Sequence, residues 1–343
     1  MSVVRSDWPV AVGNHFARNY KMTNQLFESL GMRWNRTAIS PIAPTINSIE
    51  RATFRFHRML PEFVWDASVL EGNPFTFQEV KTLMDGVTVG GRKLSDQDQV
   101  LNLVESSKRL LAMVRTNRFG LDKATFVELH GLVARNEALE WGLFRGEGQE
   151  TNYTPDVSLG EYGRYTPLPT IAGGLNLHKV FIEGLMSLES QVPNPFEKAT
   201  AFFLFGALQQ FFFDGNKRTS RFMMNGILMS HGMDAISVPA ARAQEFNEKM
   251  VRFYLTKDAT EMMVFLVDCH PDMQDIRAAN PVLDSAVASS QSVVPSLMGN
   301  LIGRLGGLLE AGARPGEVVS GEPMNAADMT GTAKDHTKPK GPK

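Results

Sequence analysis

The sequence predicts an all-α protein, a helical bundle interrupted by one short β-hairpin, and three observations carry that expectation. Apolar residues recur at helical spacing through most of the 343 residues. One segment, 196–213, is apolar nearly all round, as a helix enclosed by its neighbours must be. A single stretch, 140–174, breaks the pattern with Gly, Thr, Tyr and Pro, which favour turns and short strands.

Residues 1–45 combine a short helical pattern over His15–Leu30 with the Pro-containing stretch SPIAPTIN, and are expected to form an N-terminal extension. From Asn47 the spacing of Ile49, Phe54, Phe56 and Leu60 predicts a helix that Pro61 kinks or ends. A short helix follows over Trp65–Leu70, closed by EGNP, and another over Phe77–Met84, stopped by Asp85-Gly86. Ser95, with Asp96 and Asp98 behind it, starts a helix whose Val100, Leu103, Val104, Leu110, Leu111 and Val114 hold the period. Lys123–Ala134 is the next. Beyond the irregular segment, helices are expected over Leu177–Leu188, Phe196–Phe213, Arg218–Met229, Ala240–Tyr254 and Asp258–Val267. From 271 to 343 the Ala, Gly, Ser and Pro content predicts a largely disordered tail, with helical hints at Val293–Leu309. The main domain is thereby placed at 46–270.

A formal net charge of −2 carries no overall signature of a nucleic-acid or membrane surface. The single cysteine, Cys269, excludes an internal disulfide framework and a four-cysteine zinc site. The start MSVVRSDWPVAVGNHF lacks the basic end and apolar core of a secretory signal, and no apolar run reaches transmembrane length. A cytoplasmic protein is expected, and a homo-oligomer is compatible with the sequence.

Between the two most apolar segments lies QFFFDGNKRTSR, Gln210–Arg221. Its residue types suit an anion. Gly215 permits a tight turn, and the helix that follows presents unpaired N–H groups and the positive end of its dipole. Asn216 supplies a hydrogen-bond donor, while Lys217, Arg218 and, one turn on, Arg221 supply charge. Asp214 beside them suits a divalent ion shared with phosphates. A polyphosphate with Mg2+ meets these demands together. The same residues also fit a plain helix–helix turn whose arginines are solvated or paired with carboxylates.

The segment resembles the signature of the Fic family, H-x-F-x-(D/E)-G-N-(G/K)-R-x-x-R, through Phe212, Asp214, Gly215, Asn216, Lys217, Arg218 and Arg221. The resemblance covers roughly residues 45–270. It implies a Fic-like bundle with the motif between two central helices, a flap upstream, and transfer of AMP from ATP to a hydroxyl of a target protein. It further implies that Asp214 places Mg2+, that Gly215, Asn216 and the helix N-terminus hold phosphates, and that Arg218 and Arg221 neutralise the polyphosphate tail. GLFRGEGQ, Gly142–Gln149, is similar to the family's G-x-F-R entry to the flap, which puts the flap region at 142–174. A target peptide would pair along that flap by its backbone. ASVLEGN, Ala67–Asn73, resembles the (S/T)-x-x-x-E-(G/N) inhibitory helix, placed at 66–73. Glu71 would then pair with Arg221 and keep the γ-phosphate from settling.

Three departures bear on function. Gln210 stands where the family has the His that takes the proton from the target hydroxyl. A carboxamide has no nitrogen that titrates near neutral pH, so it cannot act as that base. None of the seven histidines stands out as a substitute; His130 and His178 belong to other segments. Lys217 replaces the usual second Gly, a form shared with the Doc branch, which transfers the γ-phosphoryl group. Ala67 occupies the hydroxyl position of the inhibitory element, with Ser68 one place later. The resemblance thus implies a weak or inactive adenylyltransferase. A non-catalytic nucleotide-binding protein or a Doc-like phosphotransferase is the alternative.

Overall fold

The computed structural model describes residues 24–291. Fourteen helices occur among them: α1 (24–30), α2 (Arg36–Ile39), α3 (Ile49–Arg58), α4 (Leu60–Val69), α5 (Phe77–Met84), α6 (Leu94–Arg115), α7 (Lys123–Val133), α8 (Leu175–Gln191), α9 (Pro195–Gln209), α10 (Asn216–Ser230), α11 (Ala243–Thr256), α12 (Thr260–Asp268), α13 (Met273–Ala279) and α14 (Leu283–Gln291). Two short strands, β1 (Val157–Ser158) and β2 (Arg164–Tyr165), pair antiparallel, with Val157 opposite Tyr165 and Ser158 opposite Arg164. The predicted class, all-helical with one hairpin, is the one observed.

Local chemistry accounts for most boundaries. Ser48, Asp122 and Asn194 cap α3, α7 and α9 by accepting from first-turn N–H groups. Thr76 and Glu79 form a reciprocal capping box on α5. The break expected at Pro61 falls just ahead of it: α3 stops at Arg58, and Pro61 opens α4 in its first turn, where its missing N–H leaves no bond unmade. A single helix therefore runs to Val69, in place of the separate Trp65–Leu70 helix expected.

The centre of the bundle is the pair α9 and α10, which pack on each other more extensively than any other two elements. Every residue from Ala199 to Gln209, and every one from Arg218 to Met229, is buried. Gly206 permits the approach: a Cβ there would fall 2.1 Å from Ser220 Oγ. Six phenylalanines, Phe126, Phe144, Phe181, Phe202, Phe211 and Phe212, stack and tilt on one another behind the turn that joins the two helices. That aromatic floor, fully removed from water, fixes the height of the turn.

Two boundaries differ from the sequence expectation. The segment 24–45 is not an extension: Leu26, Leu30, Trp34, Ile39 and Ile42 are in the core. Trp34 Nε1 donates to the fully buried Glu197 at 2.8 Å, joined there by Arg36 Nε at 2.8 Å and Ser40 Oγ at 2.8 Å. A linker-like composition hid a few apolar side chains that find their partner 160 residues away. Likewise the chain after 271 continues as α13 and α14, with Ile276, Leu283 and Ala286 buried. The rest of the predicted tail, 292–343, and residues 1–23 lie outside the described residues.

Candidate functional site

α9 ends because Gln210 turns left-handed, at φ 49° and ψ 59°, four residues before the expected end at 213. Phe211–Phe213 then cross the aromatic floor, and Gly215, at φ 72°, starts α10. A Cβ on Gly215 would sit 3.0 Å from the Ala134 Cβ, so the turn is close-packed as well as left-handed. No side chain caps α10. Its first-turn N–H groups and the positive end of its dipole therefore face a cleft of about 280 Å³.

That cleft gathers Glu71, Gln210, Asp214, Gly215, Asn216, Lys217, Arg218 and Tyr254, with Pro155–Ser158 of the hairpin as one wall. Its volume lies just below the range of small-molecule sites, about 300–1,000 Å³. Seven of the eight residues singled out in the sequence thus border one space. Arg221 stands deeper, on a smaller hollow between α4 and α10 bordered by Ala67, Leu70, Phe222 and Asn225.

The electrostatics of the cleft are those of an occupied anion site whose anion is a side chain. Glu71 Oε1 accepts from Arg221 Nη2 at 3.2 Å, across 150 residues of sequence, and its Oε2 lies 3.4 Å from Lys217 Nζ. Burial by itself would raise the Glu71 carboxyl. The charges of Lys217, Arg221 and Arg218 overcome that and hold it down at about 2. Glu71 does not lie in the helix expected over 66–73: α4 stops at Val69, and Glu71 occupies the turn that follows, its N–H bonded to Ser68 O.

Arg218 is almost fully buried. Its Nη1 donates to Glu137 Oε2 at 2.7 Å, and its Nη2 is 3.6 Å from Asp214 Oδ2. Two donors have no partner, Arg218 Nε and Arg221 Nη1. A buried guanidinium N–H left unpaired is costly, and an added oxyanion would relieve that cost.

Two predicted site residues behave differently from expectation. Asn216 does not direct its carboxamide at the cleft. Its Oδ1 accepts from Phe212 N at 2.9 Å, and its Nδ2 donates to Phe212 O at 2.8 Å and to Gln210 Oε1 at 3.0 Å. The side chain staples the turn, which leaves Asn216 only its backbone N–H for phosphate. Gln210 is similarly engaged: Nε2 donates to Ala207 O at 2.7 Å and lies 3.4 Å from the Tyr254 hydroxyl. Both ends of its amide are tied within the protein.

Two supports of the turn, His130 and the Arg145 of GLFRG, are visible in the sequence without this role. His130 on α7 stacks on Phe212 at 3.6 Å between ring centroids. Its Nδ1 accepts from Gly142 N at 3.0 Å, so Nε2 carries the proton donated to Asp214 O at 2.9 Å. Burial pushes the His130 imidazolium down to about 3. Arg145, fully buried, ties the root of the flap region to the turn. Nε donates to Gln210 O at 2.7 Å, Nη1 to Thr170 Oγ1 at 2.5 Å and Nη2 to Leu168 O at 3.0 Å. Both ends of the expected flap, GLFRG and PLPT, thus meet at one guanidinium. No spacing rule announces either contact, because each joins separate segments.

Asp214 fits a divalent ion only in part-share. Its side chain is 63% exposed, one oxygen accepts from Gly215 N at 2.6 Å, and the other lies near Arg218. A single carboxylate is too few for an all-protein cage. It does match Mg2+, which is held by one or two carboxylates together with substrate phosphates.

No family profile matches the chain. Among solved structures the chain is similar to Fic-1 of C. elegans, at 18% identity and a TM-score of 0.46 over 84% of this chain and 76% of that one. It is also similar to a Fic family protein from Desulfovibrio desulfuricans G20, at 18% and 0.47 over 80% and 74%. A Fic domain containing signalling protein from Bacteroides thetaiotaomicron VPI-5482 gives 15% and 0.49 over 81% and 97%. At such identities and scores these likenesses assign no residue a role.

Proposed function

We propose that the cleft binds ATP with Mg2+ and that the chain is a Fic-type nucleotide-binding protein, held shut by Glu71 and built for AMP transfer at a strongly reduced rate. The observation that carries this is the Glu71 carboxylate on Arg221 and Lys217, beside an uncapped helix N-terminus and two buried N–H groups without partners. A carboxylate there occupies the charge that a terminal phosphate would take. Asp214 would hold Mg2+ against the phosphates, the first turn of α10 would hold phosphate oxygens, and Arg218 and Arg221 would take the polyphosphate tail.

In the transfer step a target hydroxyl oxygen bonds to the α-phosphorus and the bond to pyrophosphate breaks. The hydroxyl proton must leave, and Gln210 has no site to receive it. Loss of such a base costs typically about a hundred- to ten-thousand-fold in rate. The internal bonds of Gln210 favour a second reading, in which nucleotide is bound and not turned over. Lys217 keeps γ-phosphoryl transfer open as a third outcome. The hairpin wall at Val157–Ser158 would lie against a target segment, and a cytoplasmic setting would supply ATP. Among the described residues no helix is long and apolar enough to cross a membrane.

Calorimetry with Mg-ATP, on the parent chain and on Glu71→Gly, tests the binding claim; no heat of binding in either would remove it. ATP labelled separately at α and γ, with lysate protein as acceptor, separates AMP transfer from phosphotransfer. Gln210→His is expected to raise α-label incorporation at least a hundredfold, in line with the usual worth of about 10² for a general base. His tolerates the left-handed backbone at 210 better than most residues. Binding without label, even in that variant, would leave the non-catalytic reading alone.

A further inference from the structure

The cleft is served by a second carboxylate from outside the motif. Glu137, in the turn after α7, accepts from Arg218 Nη1 at 2.7 Å. Around the cleft three cations, Lys217, Arg218 and Arg221, thereby meet three carboxylates, Glu71, Glu137 and Asp214.

The turns of Glu71 and Glu137 are both tied to α6, that of Glu71 through Asn73 Nδ2, which donates to Asp96 O at 2.9 Å and Gln99 Oε1 at 3.0 Å. The carboxylates differ. Among the described residues that of Glu71 meets only the displaceable cations Arg221 and Lys217, whereas that of Glu137 is also held by neutral side chains. Gln99 Nε2 donates to its Oε2 at 3.0 Å, and Asn102 Nδ2 lies 3.4 Å from its Oε1. The same Asn102 amide donates to Arg135 O at 2.8 Å, while Arg135 Nη2 returns a bond to Asn102 Oδ1 at 3.2 Å. Residues on either side of Glu137, Ala134 and Ala138, are buried. The turn is thus clamped to α6 by side chains that have no part in the motif.

We propose that Glu137 is the positioning residue of Arg218: a fixed counter-ion that aims the guanidinium at a polyphosphate whether or not Glu71 is in place. A buried arginine needs a permanent partner, or its charge is left uncompensated each time the displaceable one departs. With Nη1 anchored on Glu137, Nε is the donor left without a partner, on a side chain that borders the cleft. When Glu71 leaves, the site then gains one positive charge beside a guanidinium already in position. Preset orientation of this kind lowers the ordering cost of binding. A second inhibitor would instead have to withdraw as Glu71 can, and the bonds from Gln99 and Asn102 to the Glu137 carboxylate oppose that.

The inference rests on the nucleotide reading above, and the test separates the two. Kd is measured for Mg-ATP and for AMP by calorimetry in the Glu71→Gly background. Glu137→Ala is expected to weaken Mg-ATP at least tenfold and to leave AMP within threefold, because Arg218 serves the β- and γ-phosphates. Glu137→Gln, which keeps an acceptor in place but removes the counter-charge, should weaken Mg-ATP less than Glu137→Ala and leave AMP within threefold; a larger loss than in Glu137→Ala also overturns the proposal. Gln99→Leu, which loosens Glu137 without unpairing Arg218, should weaken Mg-ATP about threefold and so decides the matter should Glu137→Ala not fold. Tighter or unchanged Mg-ATP binding in Glu137→Ala, or in Gln99→Leu if that variant must decide, overturns the proposal, as does an equal loss for AMP, which marks a merely structural role. Absence of Mg-ATP binding in the Glu71→Gly parent itself overturns the nucleotide reading, and this one with it.

Discussion

Replacing Glu71 by Gln removes one charge with almost no change of shape, and the structure sets the size of the expected effect. The Glu71 carboxyl titrates at about 2 against its ordinary 4.5. That difference corresponds to about 3 kcal/mol in favour of the charged form. The side chain is 15% exposed, so solvent screens this only modestly. If Arg221 and Lys217 must release Glu71 to take phosphate, the competent state is scarce, and apparent affinity falls by up to about 300-fold. The Gln amide still bonds to Arg221, so a gain of at least about tenfold in Mg-ATP affinity is expected. Titration calorimetry near physiological ionic strength, about 0.15 M, reads this directly. The same variant should melt at a lower temperature without ligand, since a buried arginine loses its counter-ion. Mg-ATP should raise its melting temperature more than that of the parent. An affinity within twofold of the parent would refute the reasoning, because Glu71 would then not compete with the ligand at all.

Other expectations concern the supports of the turn. His130 titrates near 3 in the fold against 6.5 for a free imidazole, so the unfolded chain binds the extra proton between those values. Its contribution is therefore fully present above pH 6.5 and is lost as pH falls toward 3. His130→Phe should flatten that slope in denaturant melts between pH 4 and 6, and should cost about 2 kcal/mol at pH 7 through the unpaired Gly142 N–H and Asp214 carbonyl. An unchanged slope would mean that another group carries it. Arg145→Met leaves the Gln210 and Leu168 carbonyls and the Thr170 hydroxyl without their donor. A loss of about 3 kcal/mol or more in stability is expected, with earlier proteolysis across 142–174 than elsewhere. A stability within 0.5 kcal/mol of the parent, the usual range for surface changes, would show that the clamp is dispensable.

What the amino-acid sequence determined by itself was whatever depends on neighbours along the chain. The apolar helices α9 and α10, the left-handed Gly215 and the anion-friendly first turn of α10 all follow from residue order, because helix period, caps and turns are local. The fold class was legible for the same reason, and so was the sequence identity of position 210. The tertiary structure decided everything that depends on meetings across the chain. It put Glu137 on Arg218 and set His130 and Arg145 under the turn, while the pairing of Glu71 with Arg221 over 150 residues is implied by the family resemblance and by no local pattern. It also turned Asn216 inward and moved 24–45 and 273–291 into the helical body. No periodicity encodes such contacts. A few apolar or charged side chains in irregular segments are indistinguishable from linker residues until burial gives them partners, and only packing supplies that.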